Sequence, residues 1–423
     1  MNEDLLQYAW QHKSYQPELL SSEGQSIEVI HPGIKNTDGG PDFFNAKIKI
    51  DGTLWAGNVE IHLNDNDWYK HNHHLDSAYD NVILHVVNQT STDTLNSKNR
   101  KIPVCKLHMS KEFVQRYQKL NSNKQWVACE HTITAVNHFE LNQWLDRLLI
   151  ERLEDKSKLI NSLLESNKNN WDQVFFILLA RSFGFGLNGL PFELMARQTD
   201  LKILLKHADN LFQLEALLFG QSGFLNPLKE TDDYAIELQK EYHFLKTKYN
   251  LKHIDRHLWK FLRLRPVNFP TIRIAQLANL IHVTKGQFDN LLKLDKSSNP
   301  LSDLTIDTSN YWLSHYQLGI SSKKESKKTL GKQSLSRIIY NTIIPYLFIY
   351  AVKHNQEDQK EKIIDYLYHQ PTERNNIIDK WAEIGVISEN EAQAQALIHL
   401  KNIYCNNRKC LNCHIGHQVL CKT

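Results

Sequence analysis

Apolar and polar positions follow two rhythms along this chain, and the change falls near residue 135. Before it the rhythm is largely that of strands. Ala46, Ile48 and Ile50 alternate with Lys47 and Lys49. Asp51-Gly52 follows, and then Trp55, Gly57, Val59, Ile61 and Leu63 alternate with Leu54, Ala56, Asn58, Glu60 and His62. Alternation on both sides of Asp-Gly predicts a β-hairpin, because both turn positions want φ > 0. Strand side chains point to opposite faces in turn, so Glu60 and His62 share one, and Asp42 sits at the mouth of the preceding strand. Ser26 to His31 reads as an earlier strand, and the apolar run Asn81 to Asn88 as a buried one. Residues 3–13 place Leu6, Ala9 and Trp10 on one helical face. Asn36 to Gly40 is a loop, Asp65 to Tyr79 a loop plus a helix, Ile102 to Leu107 strand-like, and Lys111 to Leu120 a closing element.

From Asn137 the period becomes helical. Leu141, Trp144, Leu145, Leu148, Leu149 and Leu153 recur at the spacing of one helix face. The same pattern fills residues 171–183, 198–219, 231–246, 255–264, 272–282, 285–294, 334–353, 359–370, 373–384 and 388–404. Two domains are expected in an α+β chain: an α/β domain with a mixed sheet over 1–135, and a larger all-helical domain over 136–423. The second would end in a Cys-rich metal knot at 405–421. The first domain runs helix, strand, strand, strand, helix, strand.

Composition narrows the classes. The 423 residues are 41% hydrophobic and 23% charged, as in a globular protein, with a net charge of +3. A near-neutral total makes any nucleic-acid footprint local. Met1-Asn2-Glu3-Asp4 opens without a secretory pattern, which predicts a cytoplasmic location and reduced thiols. The longest apolar stretch, Ile338 to Val352, is interrupted by Asn341, Thr342 and Pro345 and reads as a buried helix, so no membrane partner is expected. P-loop, G-x-S-x-G and His-Glu-x-x-His patterns are absent, which argues against P-loop nucleotide-dependent, serine-hydrolase and zincin chemistry.

Two groups of residues carry candidate chemistry. Asp42 and Glu60 are hard oxygen ligands suited to a divalent ion, with His62, His71 and His73 as further ligands or acid–base groups. The bland alternative has Asp42 capping its loop and Glu60 pairing with Lys49. His71 and His73 share a face only if their segment is extended. His85 reads as a hydrogen-bonded core histidine, and Asp76 and Tyr79 as structural. The second group is Cys405-x4-Cys410-x2-Cys413-x7-Cys421, whose four thiolates suit tetrahedral Zn, with a [4Fe–4S] cluster as the alternative. Cys105 and Cys129 read as core thiols. Arg256, Lys260 and Arg263 would share one face of a helix and suit a phosphate backbone, making DNA or RNA candidate partners. The lysines at 323, 324, 327, 328 and 332 look like an exposed loop.

Pro41-Asp42, the hairpin and Glu60-x-His62 resemble the metal-binding core of the PD-(D/E)XK nuclease-like superfamily. Gly40-Pro41-Asp42-Phe43, Gly57 to His62, Asp67-Trp68, His71-x-His73 and Asn81 to Val87 resemble the DUF2851 family. Asn341 to Pro345 and Cys410-x-x-Cys413-x-Ile415-Gly416 resemble its C-terminal signatures. The cysteine spacing is also similar to the iron–sulfur loop of endonuclease III-like glycosylases, with different intervals. The DUF2851 resemblance implies bacterial origin and names no reaction. The nuclease resemblance implies a Mg-dependent phosphodiesterase acting on nucleic acid, with Asp42 and Glu60 holding the ion; the histidines of this chain extend the expectation to Mn and add His62, His71 and His73 to the catalytic set. His62 stands where that superfamily has lysine. This leaves two other readings, a non-catalytic nucleic-acid or protein-binding scaffold and a Zn-dependent small-molecule hydrolase.

Overall fold

A computed structural model describes residues 2–90, 92–228, 230–294, 301 and 304–421. The chain divides into two compact units: Met1–Trp144 with Asp379–Ile387 and Ile398–Thr423, and Leu145–Ile378 with Ser388–Leu397. The expected boundary at 135 is close for the main chain. The cysteine segment, however, was expected to close the helical domain and instead belongs to the first unit.

The first unit opens with α1 (Glu3–Gln11), capped by Asn2, whose side chain accepts from the Leu5 N–H. The strands are β1 (Leu19–Leu20), β2 (Ser26–His31), β3 (Ile34–Lys35), β4 (Phe43–Ile50), β5 (Thr53–Asn64), β6 (Val82–Gln89), β7 (Thr94–Leu95), β8 (Lys101–Ile102) and β9 (Val104–Lys106). Their main sheet runs β1-β2-β4-β5-β6-β9, with β3 on β4. Strands β4 and β5 are the predicted antiparallel hairpin, and Asp51 and Gly52 turn it at φ 47° and 81°. Strand β6 is parallel to both β5 and β9, so the sheet is mixed.

Alternation does its expected work on one face. Ala46, Ile48, Val59, Ile61, Leu84 and Val86 are fully buried there, in one core with Leu5, Leu6, Ala9 and Trp10 of α1. Each large side chain so buried contributes about 1.5–3 kcal/mol. The tip of the hairpin escapes this: Leu54 and Trp55 are exposed. The other face is covered by the β5–β6 connection, made of α2 (Asp67–Lys70) and single turns at His73–Leu75 and Ser77–Tyr79. Trp68, Tyr79, Val82 and Ile102 form a small apolar cluster on that side. Gly57 is required where β5 meets β6, because a Cβ there would lie 2.4 Å from Ile83 Cγ2 and 2.6 Å from the Asn81 carbonyl oxygen. The first unit also contains α3 (Lys111–Ser122) and a terminal helix, His414–Cys421.

The second unit is largely helical, but it is not the all-helical domain expected: His315–Gln317 and Ile320–Ser321 pair as a two-stranded antiparallel sheet, and the helices differ as follows. The 198–219 stretch is two helices, Leu201–Leu205 and Leu211–Gln221. Residues 285–294 make only a short 3-10 turn, Phe288–Leu292. Residues 255–264 are not a helix: Arg256–Leu258 is one 3-10 turn, and Trp259 is buried with its indole donating to the Ser222 carbonyl. The run Lys332–Lys353 is long and apolar enough by composition to cross a bilayer, but 67% of its apolar window is buried within the fold. Its middle, Ile339–Ile343, is π-helical just before Pro345. Widening a turn there accommodates a residue that lacks the N–H for an i→i−4 bond.

Candidate functional site

Strand β5 presents Glu60 and His62 on the same face, away from the core, and β6 presents His85 beside them in register with Glu60. All three are buried, at 5%, 1% and 0% exposure. His71 ends α2, Asn72 takes a left-handed conformation at φ 62°, and His73 starts the next turn. The segment is therefore neither extended nor continuously helical. The reversal at Asn72 is what turns both imidazoles toward His62, with His71 and His73 ring centres 5.0 and 5.4 Å from it.

The ligand atoms of His62, His71 and His73 all lie within 4.8 Å of one another. Glu60 Oε1 is 3.4 Å from both His62 Nε2 and His73 Nε2, and His71 Nδ1 is 3.2 Å from His62 Nε2. Ligands around an ion with bonds of roughly 2.0–2.2 Å stand about 3.4 Å apart in a tetrahedron. Glu60 Oε1 and the nitrogens of His62 and His73 are thus spaced as neighbours in one shell, and His71 lies beside His62. His71 is the exposed member, which leaves the cluster open on its side.

A second layer holds this donor set. His62 Nδ1 is 2.9 Å from His85 Nε2, and His85 Nδ1 is 2.9 Å from Thr94 Oγ1. Partners on the remote ring nitrogen orient a ligand imidazole and fix its tautomer. Tyr79 stacks on His73 at 3.8 Å, and Trp68 packs edge-on to it. Asp76 caps the turn carrying Tyr79, donated to by the Ala78 N–H. The structural roles expected for Asp76 and Tyr79 stand, and His85 is the core histidine anticipated, though it touches the candidate ligand His62.

Asp42 is held by neighbouring groups. Its carboxylate accepts from the Ile61 N–H at 2.9 Å and from Gln7 Nε2 at 2.8 Å, while its own N–H donates to Glu60 Oε2 at 3.0 Å. Its main-chain N–H thereby holds one Glu60 oxygen in place. The alternative Glu60–Lys49 pair does not form, because Lys49 binds Glu28. Helix α1 adds two residues that the sequence reading missed, Gln7 and Glu3. The latter's carboxyl is pushed up to about 7 by burial and by Asp42. The only sequence signal for them was the polar side of an otherwise apolar helix.

Burial sets the charge states of the pocket. Burial, then His85, His73 and His71, push His62 down to about 3. Burial and His71 push His73 down to about 4. Burial holds His85 near 4 as well. Neutral imidazoles are the form that binds a metal. Burial, and then Asp42, push the Glu60 carboxyl up to about 9. Nitrogen-rich donors suit Zn, Mn or Fe better than Mg, which prefers oxygen.

The other expected sites are rearranged. Cys421 lies apart from the other terminal cysteines, 3.6 Å from the Tyr8 hydroxyl and 3.8 Å from His417 Nδ1. The reason is geometric: His414–Cys421 is a helix, and at 1.5 Å per residue it carries Cys421 about 12 Å along its axis from Cys413. Cys405, Cys410 and Cys413 do stay together. Arg256, Lys260 and Arg263 do not share a helix face. Arg256 stacks over Phe224 at 5.3 Å, and Lys260 is held by its main chain, whose N–H donates to Asn188 Oδ1. Lys260 and Arg263 remain exposed. Of the lysine run, Lys328 is buried and donates to the Leu313 and Ser326 carbonyls.

No curated protein and no solved structure matches the chain. Residues 3–376 match a family model described as a protein of unknown function, DUF2851. That stretch takes in the strands, both carboxylates and every imidazole of the pocket, and it stops short of the terminal cysteines. The chain belongs to the DUF2851 family.

Proposed function

We propose that the first unit is a metal-dependent hydrolase of phosphodiesters, with nucleic acid as the substrate class and an ion held by Glu60, His62, His71 and His73. The observation that carries this is the convergence of three imidazoles, with one buried carboxylate oxygen 3.4 Å from two of them. A bound divalent ion would supply Lewis acidity and lower the pKa of a coordinated water. Glu60 and His62 are rigid because they stand on a central strand with partners behind them. His71, on the open side, is where substrate would approach. Asp42 is a positioning residue for Glu60 in this reading, and Gln7 positions Asp42. The phosphodiester assignment rests on the helix and strand order and on Pro41-Asp42 and Glu60 lying on adjoining strands, as in nuclease-like folds.

Imidazole donors favour a second reading, a zinc-dependent hydrolase of small metabolites. One experiment separates the two. Metal content is measured on the purified full chain. Hydrolysis of bis(p-nitrophenyl) phosphate, of duplex, single-stranded and branched DNA and RNA, and of small phosphorylated or acylated compounds is then followed with Mg, Mn and Zn. Cleavage of nucleic acid that disappears in Glu60→Ala supports the first reading. Turnover of small compounds alone supports the second. A pocket that takes up no ion sinks both and leaves a binding scaffold.

A further inference from the structure

The helical unit carries a glycine pattern that the hydrolase reading leaves unused. Gly184, Gly186 and Gly189 are spaced G-x-G-x-x-G. A helix and not a strand precedes them, so they are no dinucleotide fingerprint. They open the helix Phe185–Arg197, directly after the helix Trp171–Phe183. Gly184 is required, because a Cβ there would lie 2.3 Å from the Asn188 carbonyl oxygen. At Gly186 a Cβ would meet nothing within 4 Å, so the backbone borders open space. Between them Phe185 takes φ 47°, strain of the kind that clusters at ligand sites. Two cavities of about 390 and 400 Å³ adjoin this turn, and Phe185, Gly186 and Arg337 line both. Ligand pockets are commonly of this size. The first is also walled by Asn341 and Thr342, in the π-helical stretch Ile339–Ile343. Such wide turns often mark functional sites.

The charge lining these cavities has one sign. Lys156, Arg181 and Arg337 line the first, Arg273 and Arg337 the second, and no carboxylate among the described residues lines either. Arg273 is the telling member, at 7% exposure. Its Nη groups donate to two neutral amides, Gln276 Oε1 at 2.9 Å and Asn268 Oδ1 at 2.7 Å, and its guanidinium lies 4.8 Å from the Phe185 ring centre. Its Nε has no hydrogen-bond partner, and no carboxylate among the described residues pairs with it. Burial pulls it down only to about 10, so it stays charged at neutral pH. A buried charge without a counter-charge is costly. Lys156 likewise has no carboxylate partner among the described residues. Arg337 Nε is 3.5 Å from Glu373, and Arg181 shares Glu193 with Arg197. The four lining cations therefore have only Glu373 and a shared Glu193 against them.

We propose that these adjoining cavities bind a small molecule bearing at least two phosphate groups, one held by Arg273 and Arg337 and the other by Lys156 and Arg181. The arginine fork matches phosphate oxygens, and each phosphate brings more negative charge than a carboxylate. The first turn of Phe185–Arg197 adds backbone N–H groups and the positive end of a helix dipole, and the missing side chain at Gly186 lets a ligand come close. Burial of Arg273 suits a ligand that enters a recess over a nucleic acid that lies across a surface. The site belongs to the helical unit and uses no residue of the imidazole pocket.

The test titrates the full chain with inorganic pyrophosphate by calorimetry. One equivalent is expected to bind and to raise the melting temperature. R273Q and K156Q should each weaken binding by about 10-fold or more, the worth of a hydrogen bond to a charged group. Acetylation of wild-type Lys156, mapped by mass spectrometry, covers variants that fail to fold. Pyrophosphate should slow it and leave exposed Lys324 unaffected. No binding of pyrophosphate, or wild-type binding in both variants, overturns the site. So does Lys156 acetylated at an unchanged rate under saturating pyrophosphate. Binding lost in E60A and kept in R273Q moves the anion to the imidazole pocket and refutes the assignment. A single-stranded oligonucleotide that binds through Arg273 where pyrophosphate does not would sink the small ligand.

Discussion

Two glutamates, one in each unit, are buried to a similar degree and are built for opposite ends. Glu391 in the helical unit is fully enclosed, and both its oxygens are satisfied: Gln395 Nε2 donates to one and the Glu373 N–H to the other, each at 2.6 Å. Glu60 in the first unit has one oxygen held by the Asp42 N–H, while the other faces two imidazole nitrogens at 3.4 Å, longer than a good hydrogen bond. Burial raises both carboxyls. Burial alone is therefore no mark of a site. What distinguishes Glu60 is an oxygen that faces two imidazole nitrogens in place of an amide or backbone N–H.

The comparison breaks most directly at Glu60. Glu60→Ala is expected to lower metal affinity and hydrolysis by about 100-fold or more, since even outer-layer partners of a ligand are worth 10- to 100-fold. Glu391→Ala should leave turnover per folded molecule unchanged and show its cost in urea denaturation. Equal activity losses in the two variants would erase the distinction.

The next effect concerns pH. Burial, less the hydrogen bonds from Gln395 and the Glu373 N–H, raises Glu391 to about 7 from an unfolded value near 4.5. The folded state then binds more protons between those values. This group's contribution is fully present below pH 4.5 and is lost as pH rises through 7, by about 2–3 kcal/mol. Urea unfolding at pH 5 and pH 8 should show Glu391→Gln gaining on the wild type by that amount at the higher pH. The same difference at both pH values would refute the assignment.

Smaller effects probe the support behind Glu60. Thr94→Val removes the partner of His85 Nδ1 and should weaken metal binding by about 10-fold through His62, read by competition with a chelating dye. Tyr79→Leu removes the ring stacked on His73 and should cost about 0.5–1.5 kcal/mol beyond lost area. A Thr94→Val protein with wild-type metal affinity would show that the His62–His85–Thr94 chain is only packing.

How much of this the sequence disclosed depends on how local each feature is. The hairpin was legible because its turn and its alternation lie within a few residues. The shared face of Glu60 and His62 followed from strand periodicity. The approach of His71 and His73 was not legible, because it hangs on one backbone reversal at Asn72, a conformation that asparagine tolerates but does not dictate. Gln7 reaches Asp42 across a separation of 35 residues that no periodicity encodes. The basic segment near Arg256 failed for the opposite reason. Its spacing fitted a helix, but burial of Trp259 and the bracket from Asn188 gave the chain a better use.

The connection between β5 and β6 carries one more consequence. Parallel neighbours need a crossover of a dozen or more residues, usually a full helix laid over the sheet. Here residues 65–81 make the crossing with little to spare, and the same stretch delivers His71, His73 and Tyr79. Topology and chemistry are therefore written on one piece of chain. Loops elsewhere on the surface can lengthen without penalty, but an insertion here would shift the imidazoles off their strand partners. In a library of random insertions, this segment should be a gap in the map of tolerated sites while the hairpin tip at Asp51-Gly52 stays permissive.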